Sequence, residues 1–218
     1  MFKDKNKKYN EIYHIYHENF ARTTKLPTFV QIFSNQMEEI TIKGLTFEPY
    51  LKEEEIQTQV NRVAQEICQG LDGDKSPLFL CVLNGAFMFA ADLFRACNLP
   101  ESEITFIRFK SYEGTSSTGV VKEIMGLNES IEDRNVIIIE DIVDTGVTAQ
   151  QLRALLAEHS PKSVKMATLL FKPASLTTGD APEYVGFNIP SQFIIGYGLD
   201  LDGQARNLRD IFVLKKDS

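Results

Sequence analysis

Residues 137–148 read Ile-Ile-Ile-Glu-Asp-Ile-Val-Asp-Thr-Gly-Val-Thr. Val136 extends the run backwards, and an unbroken β-branched stretch from Val136 to Ile139 suits a strand buried on both faces. Glu140 and Asp141 follow where such a strand emerges. Asp144, Thr145, Gly146 and Thr148 come next, then leucines at helical spacing: Leu152, Leu155 and Leu156. A strand, a polar turn with glycine and a helix N-terminus together make an anion site, because the first N–H groups of a helix have no intrahelical partner. Gly146 permits a close backbone approach that a side chain would block. Acidic residues beside an anion site are contradictory until a divalent metal or sugar hydroxyls are added. Carboxylates accept hydrogen bonds from a diol and also coordinate Mg2+. The segment therefore asks for a ligand that carries phosphate, sugar and metal at once.

Working outward, the same alternation of β and α patterns repeats. Ile56, Val60, Val63 and Ile67 fall at helical spacing after Glu53, and Gly70 stops the helix. Leu78 to Leu83 is a continuous apolar strand, followed by Asn84-Gly85 and a second helical pattern through Leu93. Glu103 to Phe109 alternates, with Ile104 and Phe106 as its apolar side, and reads as a strand with one wet face. Ser111 to Gly119 is rich in Ser, Thr and Gly and reads as a loop. Val164 to Phe171 is a further apolar strand that ends at Lys172. Alternating elements of this kind predict a parallel, doubly wound α/β sheet.

The signature resembles the phosphoribosyl-pyrophosphate (PRPP) motif of type I phosphoribosyltransferases. With the three other segments in order, the resemblance narrows to the hypoxanthine(-guanine) phosphoribosyltransferases of bacterial type, from about Ile40 to the C-terminus. It implies a small hood or lid made from the chain ends and Mg2+-dependent transfer of phosphoribose from PRPP to hypoxanthine and guanine. The products would be IMP or GMP and pyrophosphate. In that likeness Glu140 and Asp141 hold the ribose hydroxyls and Mg2+, and Asp144, Thr145, Gly146, Val147 and Thr148 wrap the 5′-phosphate. Asp144 also serves as general base near N7 of the purine. Asn84 and Gly85 form the pyrophosphate turn, often with a non-proline cis peptide, and Arg206 meets the leaving pyrophosphate. Ser111, Tyr112, Ser117, Thr118 and Gly119 correspond to the catalytic lid. Lys172 meets O6 of the base as a donor-only group, which opposes the amino group of adenine. Phe193 stacks on the purine, the backbone near Ile194 and Asp200 reads its 2-position, and Asp200 ligates a second Mg2+. The chain departs from the pattern at Asn84 (commonly basic), Val120 (often acidic) and Leu201 (often aromatic).

Bulk properties bound the alternatives. The 218 residues are 43% hydrophobic and 24% charged, ordinary for a globular protein, and no stretch has the length of a membrane span. A net charge of −7 argues against general nucleic-acid binding, which needs a basic face. Cys68, Cys81 and Cys97 have no metal-type spacing and suit reduced thiols in a cytoplasm. Residues 1–36 differ from the rest, with Tyr9, Ile12, Tyr13, Tyr16 and Phe20 at helical spacing behind a lysine-rich start. They read as an accessory helix or as sequence upstream of a true start at Met37, ahead of a catalytic domain over 37–218. His14 and His17 suit a solvated helix face. Two other functions compete. A D-x-D-x-T phosphatase fails because Asp141 and Asp144 stand three apart rather than two. A non-catalytic phosphoribosyltransferase-fold regulator that binds nucleotide or RNA sits poorly with an intact Asp144, Lys172 and lid. The family resemblance also implies a homodimer or homotetramer.

Overall fold

The computed structural model describes residues 38–111, 121–125, 127 and 129–216. Residues 1–37, with His14 and His17, lie outside them, as do the lid positions Tyr112, Ser117, Thr118 and Gly119 and the departure at Val120.

The described chain runs β1 (Ile40–Ile42), β2 (Leu45–Leu51), α1 (Glu53–Gly70), β3 (Leu78–Leu83), α2 (Phe87–Cys97), β4 (Glu103–Ser111), β5 (Val121–Met125), β6 (Asn135–Val143), α3 (Val147–Ala157), β7 (Ser163–Phe171), β8 (Tyr184–Asn188), β9 (Ile194–Ile195) and β10 (Ile211–Leu214). The main sheet has the order β5-β4-β3-β6-β7-β8. Strands β4, β3, β6, β7 and β8 are mutually parallel, and β5 pairs antiparallel with β4 at the edge. The α/β reading is met.

Alternation along the strands decides which helix each side chain meets. Phe79, Cys81, Ile137 and Ile139 pack with Ile56, Val60, Val63 and Ile67 of α1 and with Phe89, Ala90 and Leu93 of α2. Leu78, Leu80, Val136 and Ile138 point the other way and pack with Leu152 and Leu156 of α3. Both faces are thus covered, which is why β3 and β6 are apolar without interruption. The head of α1 carries Glu53, Glu54 and Glu55, favourable at the positive end of the helix, and Glu55 accepts from the Lys52 N–H at 3.0 Å.

The β4 expectation needs correction. Thr105 and Ile107 are the buried side chains, whereas Phe106 is 46% exposed. β4 lies one strand in from the β5 edge; Ile104 is only partly buried against the α1 and α2 cluster and Phe106 stays exposed, so alternation was right and its assignment to faces was not.

A second, antiparallel sheet has the order β1-β2-β10-β9 and joins the early strands of the described chain to its last ones. Phe47, Ile195, Ala205 and Phe212 form its core, with Leu201 packed against them. The aromatic ring absent at Leu201 is therefore replaced by an aliphatic core contact. In the main sheet, β3 connects outward to β4 on one side, while β6 on its other side connects outward to β7. The carboxyl ends of β3 and β6 flank the crevice where open α/β sheets bind ligands.

Candidate active site

Strand β6 delivers Glu140 and Asp141 to that crevice, and α3 begins six residues after Asp141. Gly146 is the residue that starts the helix, with φ at +83°, and a Cβ there would lie 2.2 Å from the Thr178 carbonyl. Only glycine suits both the angle and the space. No side chain caps α3. Its first N–H groups, which the helix cannot satisfy, stay available to a ligand. The turn is braced from behind, because Thr177 and Thr178 donate backbone N–H groups to the Thr145 carbonyl at 3.0 and 3.2 Å.

Strand β3 delivers the facing turn. The Leu83–Asn84 peptide is cis. Gly85 lies so close to Asp141 that an added Cβ would stand 1.5 Å from its Oδ2. Any side chain at Gly85 would displace that carboxylate.

Two cavities share one wall. The first, about 160 Å3, is lined by residues 140–146 with Thr148 and Ala149. The second, about 290 Å3, is lined by Asp141, Ile142, Asp144, Lys172, Gln192, Phe193, Ile194, Leu199 and Asp200. Asp141, Ile142 and Asp144 belong to both. Of the expected residues, Glu140, Asp141, Asp144, Thr145, Gly146 and Thr148 line the first chamber, and Lys172, Phe193, Ile194 and Asp200 line the second. The Val147 side chain is 39% exposed and lines neither. Asn84, Gly85 and Arg206 also stand outside both linings. Arg206 reaches the second chamber through Asp200, to which it pairs at 2.7 Å, and it donates to the Gly198 carbonyl at 2.6 Å.

The electrostatics are lopsided. Glu140 is only 8% exposed, and burial followed by the Asp141 charge pushes its carboxyl well above the ordinary range. Burial also raises Asp141, against the pull of the Ile142 N–H at 2.9 Å and of Arg206. Two crowded carboxylates with hard oxygen donors form a seat that a divalent cation would neutralise. Among the described residues no three His, Cys, Asp or Glu side chains converge on one metal position, so Glu140 with Asp141 and Asp200 are separate candidates. Lys172, buried at the end of β7, pairs with Asp144 Oδ2 at 2.8 Å. Phe193 is 46% exposed over the second chamber and tilts against Phe47 at 6.2 Å between centroids.

Sequence reasoning missed Ile142, Gln192 and Leu199. The first lies inside the quoted signature, and the other two lie next to expected residues, so adjacency was their one available signal.

The parallel sheet, its glycine turn and the acidic pair fit a phosphoribosyltransferase, and the family described as phosphoribosyl transferase domain matches residues 48–202. A hypoxanthine-guanine phosphoribosyltransferase of Dictyostelium discoideum is 39% identical over 168 residues, covering 76% of this chain and 93% of that protein. A crystal structure of a hypoxanthine-guanine phosphoribosyltransferase from Bacillus anthracis aligns with a TM-score of 0.70 at 37% identity, over 78% of this chain and 97% of the other. The chain belongs to the hypoxanthine-guanine phosphoribosyltransferase family, enzymes of purine salvage that transfer a phosphoribosyl group. It also matches the bifunctional protein TilS/HprT of Listeria innocua at 40% identity over 168 residues, spanning 77% of this chain and 26% of that longer protein. No described helix is long and apolar enough to cross a membrane.

Proposed function

We propose that the enzyme transfers 5-phosphoribose from PRPP to hypoxanthine and guanine, with Mg2+, in a cytoplasmic setting. The observation that carries this reading is the pair of chambers sharing Asp141 and Asp144, one lined by the glycine turn and one by Lys172 and Phe193. The N–H groups of the turn and the Thr145 and Thr148 hydroxyls take the 5′-phosphate. Glu140 and Asp141 take the ribose diol, and they with Asp200 would hold Mg2+, which when bound neutralises the anionic leaving group. Gly85 and Arg206 face the pyrophosphate. Phe193 covers the purine face, Ile194 and Asp200 border its 2-position, and Lys172 donates to O6. As N9 bonds to the anomeric carbon, the C1–oxygen bond breaks, its electron pair leaves with pyrophosphate, and Asp144 accepts the proton from N7. Positive charge that develops on the ribose is stabilised by fixed groups rather than by water. The catalytic domain on this reading is 37–218, preceded by an extension, with Ser111 at the root of a lid that shields the reaction. A homodimer or homotetramer is its expected assembly.

The test is nucleotide formation from PRPP and Mg2+ with hypoxanthine, guanine, xanthine and adenine in parallel. The 6-oxopurines are expected to react and adenine is not. Asp144→Asn is expected to lose about 100-fold or more in rate while it still binds PRPP, the usual size of a general-base contribution. PRPP binding without product from any base would instead favour a regulator.

A further inference from the structure

The segment Phe193–Arg206 carries both the purine wall and Asp200, yet β9 supplies only two residues of regular pairing, Ile194 with Val213 and Ile195 with Phe212. After Ile195 it leaves the sheet. Two contacts then tie it to the Leu83–Gly85 turn and to the middle of α2, the helix that follows that turn. Gly198 packs onto the Gly85 carbonyl, where a Cβ would stand 2.1 Å away. The Tyr197 hydroxyl donates to Asp92 Oδ2 at 2.6 Å.

Tyr197 is held in an unusual conformation. Its φ is +47°, a region that bulky residues rarely occupy, and it is only 5% exposed. Its N–H donates to the Leu208 carbonyl at 2.9 Å. Asp92 is fixed in turn by the Gln57 amide at 2.9 Å and by Arg95. Burial pushes the Asp92 carboxyl up, but its bonds to Tyr197, Gln57 and Arg95 outweigh that and hold it below the usual value. An ionised acceptor makes the bond from Tyr197 a strong one.

We propose that Tyr197 is a positioning residue: its bond to Asp92 sets the separation between Asp200 and the Gly85 turn, and so the grip on the pyrophosphate end of PRPP. The inference rests on the phosphoribosyl-transfer reading. Before Tyr197, Ile194 and Ile195 pair with β10 and the Phe193 carbonyl accepts from the Leu214 N–H at 2.9 Å, so these residues keep their place without the bond. Gly198 and Asp200 lie beyond that pairing, in a turn closed on itself by the Gly198 N–H to the Arg206 carbonyl at 2.9 Å and by the mutual backbone bonds of Leu201 and Gln204. Loss of the bond lets that turn shift as a unit, which weakens PRPP, while hypoxanthine keeps Phe193 on its face and Lys172 at O6, both outside the turn.

Tyr197→Phe keeps the ring and leaves Asp92 with Gln57 and Arg95. Its KM for PRPP is expected to rise about tenfold, the effect of one lost hydrogen bond of about 1.4 kcal/mol. The KM for hypoxanthine is expected to stay within about twofold. Asp92→Ala should reproduce that split, and adding it to Tyr197→Phe should bring little further change because the two share one contact. Asp92→Asn, which retains an acceptor oxygen, should restore most of the PRPP affinity lost in Asp92→Ala. A folded Tyr197→Phe whose PRPP KM does not move, or whose two KM values rise together, overturns the positioning role while the transfer reading stands. Absence of nucleotide from wild type with every base overturns the reading and the positioning role together.

Discussion

Glu140 is the residue on which function and stability conflict most openly. It sits buried at the end of an apolar strand with Asp141 as its neighbour. Burying like charges is unfavourable, and the acid is displaced toward its neutral form. In metal-free solution Glu140→Gln is expected to raise unfolding stability by about 1–2 kcal/mol, since the amide keeps the shape without the charge. It should at the same time abolish transfer. Denaturant titration of both proteins with a chelator present measures the first part; an unchanged or lower midpoint for the variant would count against it. These carboxylates were legible in sequence because polar residues straight after an uninterrupted β-branched run are out of place in a core. Tyr197 and Asp92 were not legible. They stand 105 positions apart, and each is an ordinary residue in its own local pattern.

At the scale of elements, α3 is tied to β7 and β8 through Glu183. Its carboxylate receives Arg153 at 2.7 and 2.9 Å and the Met166 N–H at 2.7 Å. Burial raises the Glu183 carboxyl, but the Arg153 bonds and the Met166 N–H outweigh it and hold the group below the usual value of 4.5. A depressed folded value means that the contribution is complete above the unfolded value and is lost as pH falls through the folded one. Wild type and Glu183→Gln are therefore expected to differ in unfolding free energy near neutrality and to converge at the acid end. A gap that persists at low pH would show that shape, not charge, sets the contribution. The long elements α1, β3 and β6 were readable because their periods are sustained over many residues and their two faces have uniform surroundings. The small sheet was not. A two-residue β9 has no period of its own, and β2 finds β10 only through long-range pairing.

The whole molecule shows its packing in its thiols. All three cysteines are free, and two of them are buried. Burial, then the charges of Glu140 and Asp141, pushes the Cys81 thiol up to about 12, and burial, then Cys68, pushes Cys97 up to about 12. The thiolate is the reactive form, so folding suppresses both. A disulfide reagent is expected to modify about one thiol per native chain, at half-buried Cys68, and all three only after denaturation. Fast modification of two or more in the native protein would contradict this packing. The same compactness has a thermodynamic meaning at the crevice. Asp141, Ile142 and Asp144 are walls of both chambers, so neither chamber can fill without altering the other's surface. Whatever occupies the first is then an effector of the second. By reciprocity, the factor by which one ligand changes the other's affinity is the same in either direction, whichever binds first.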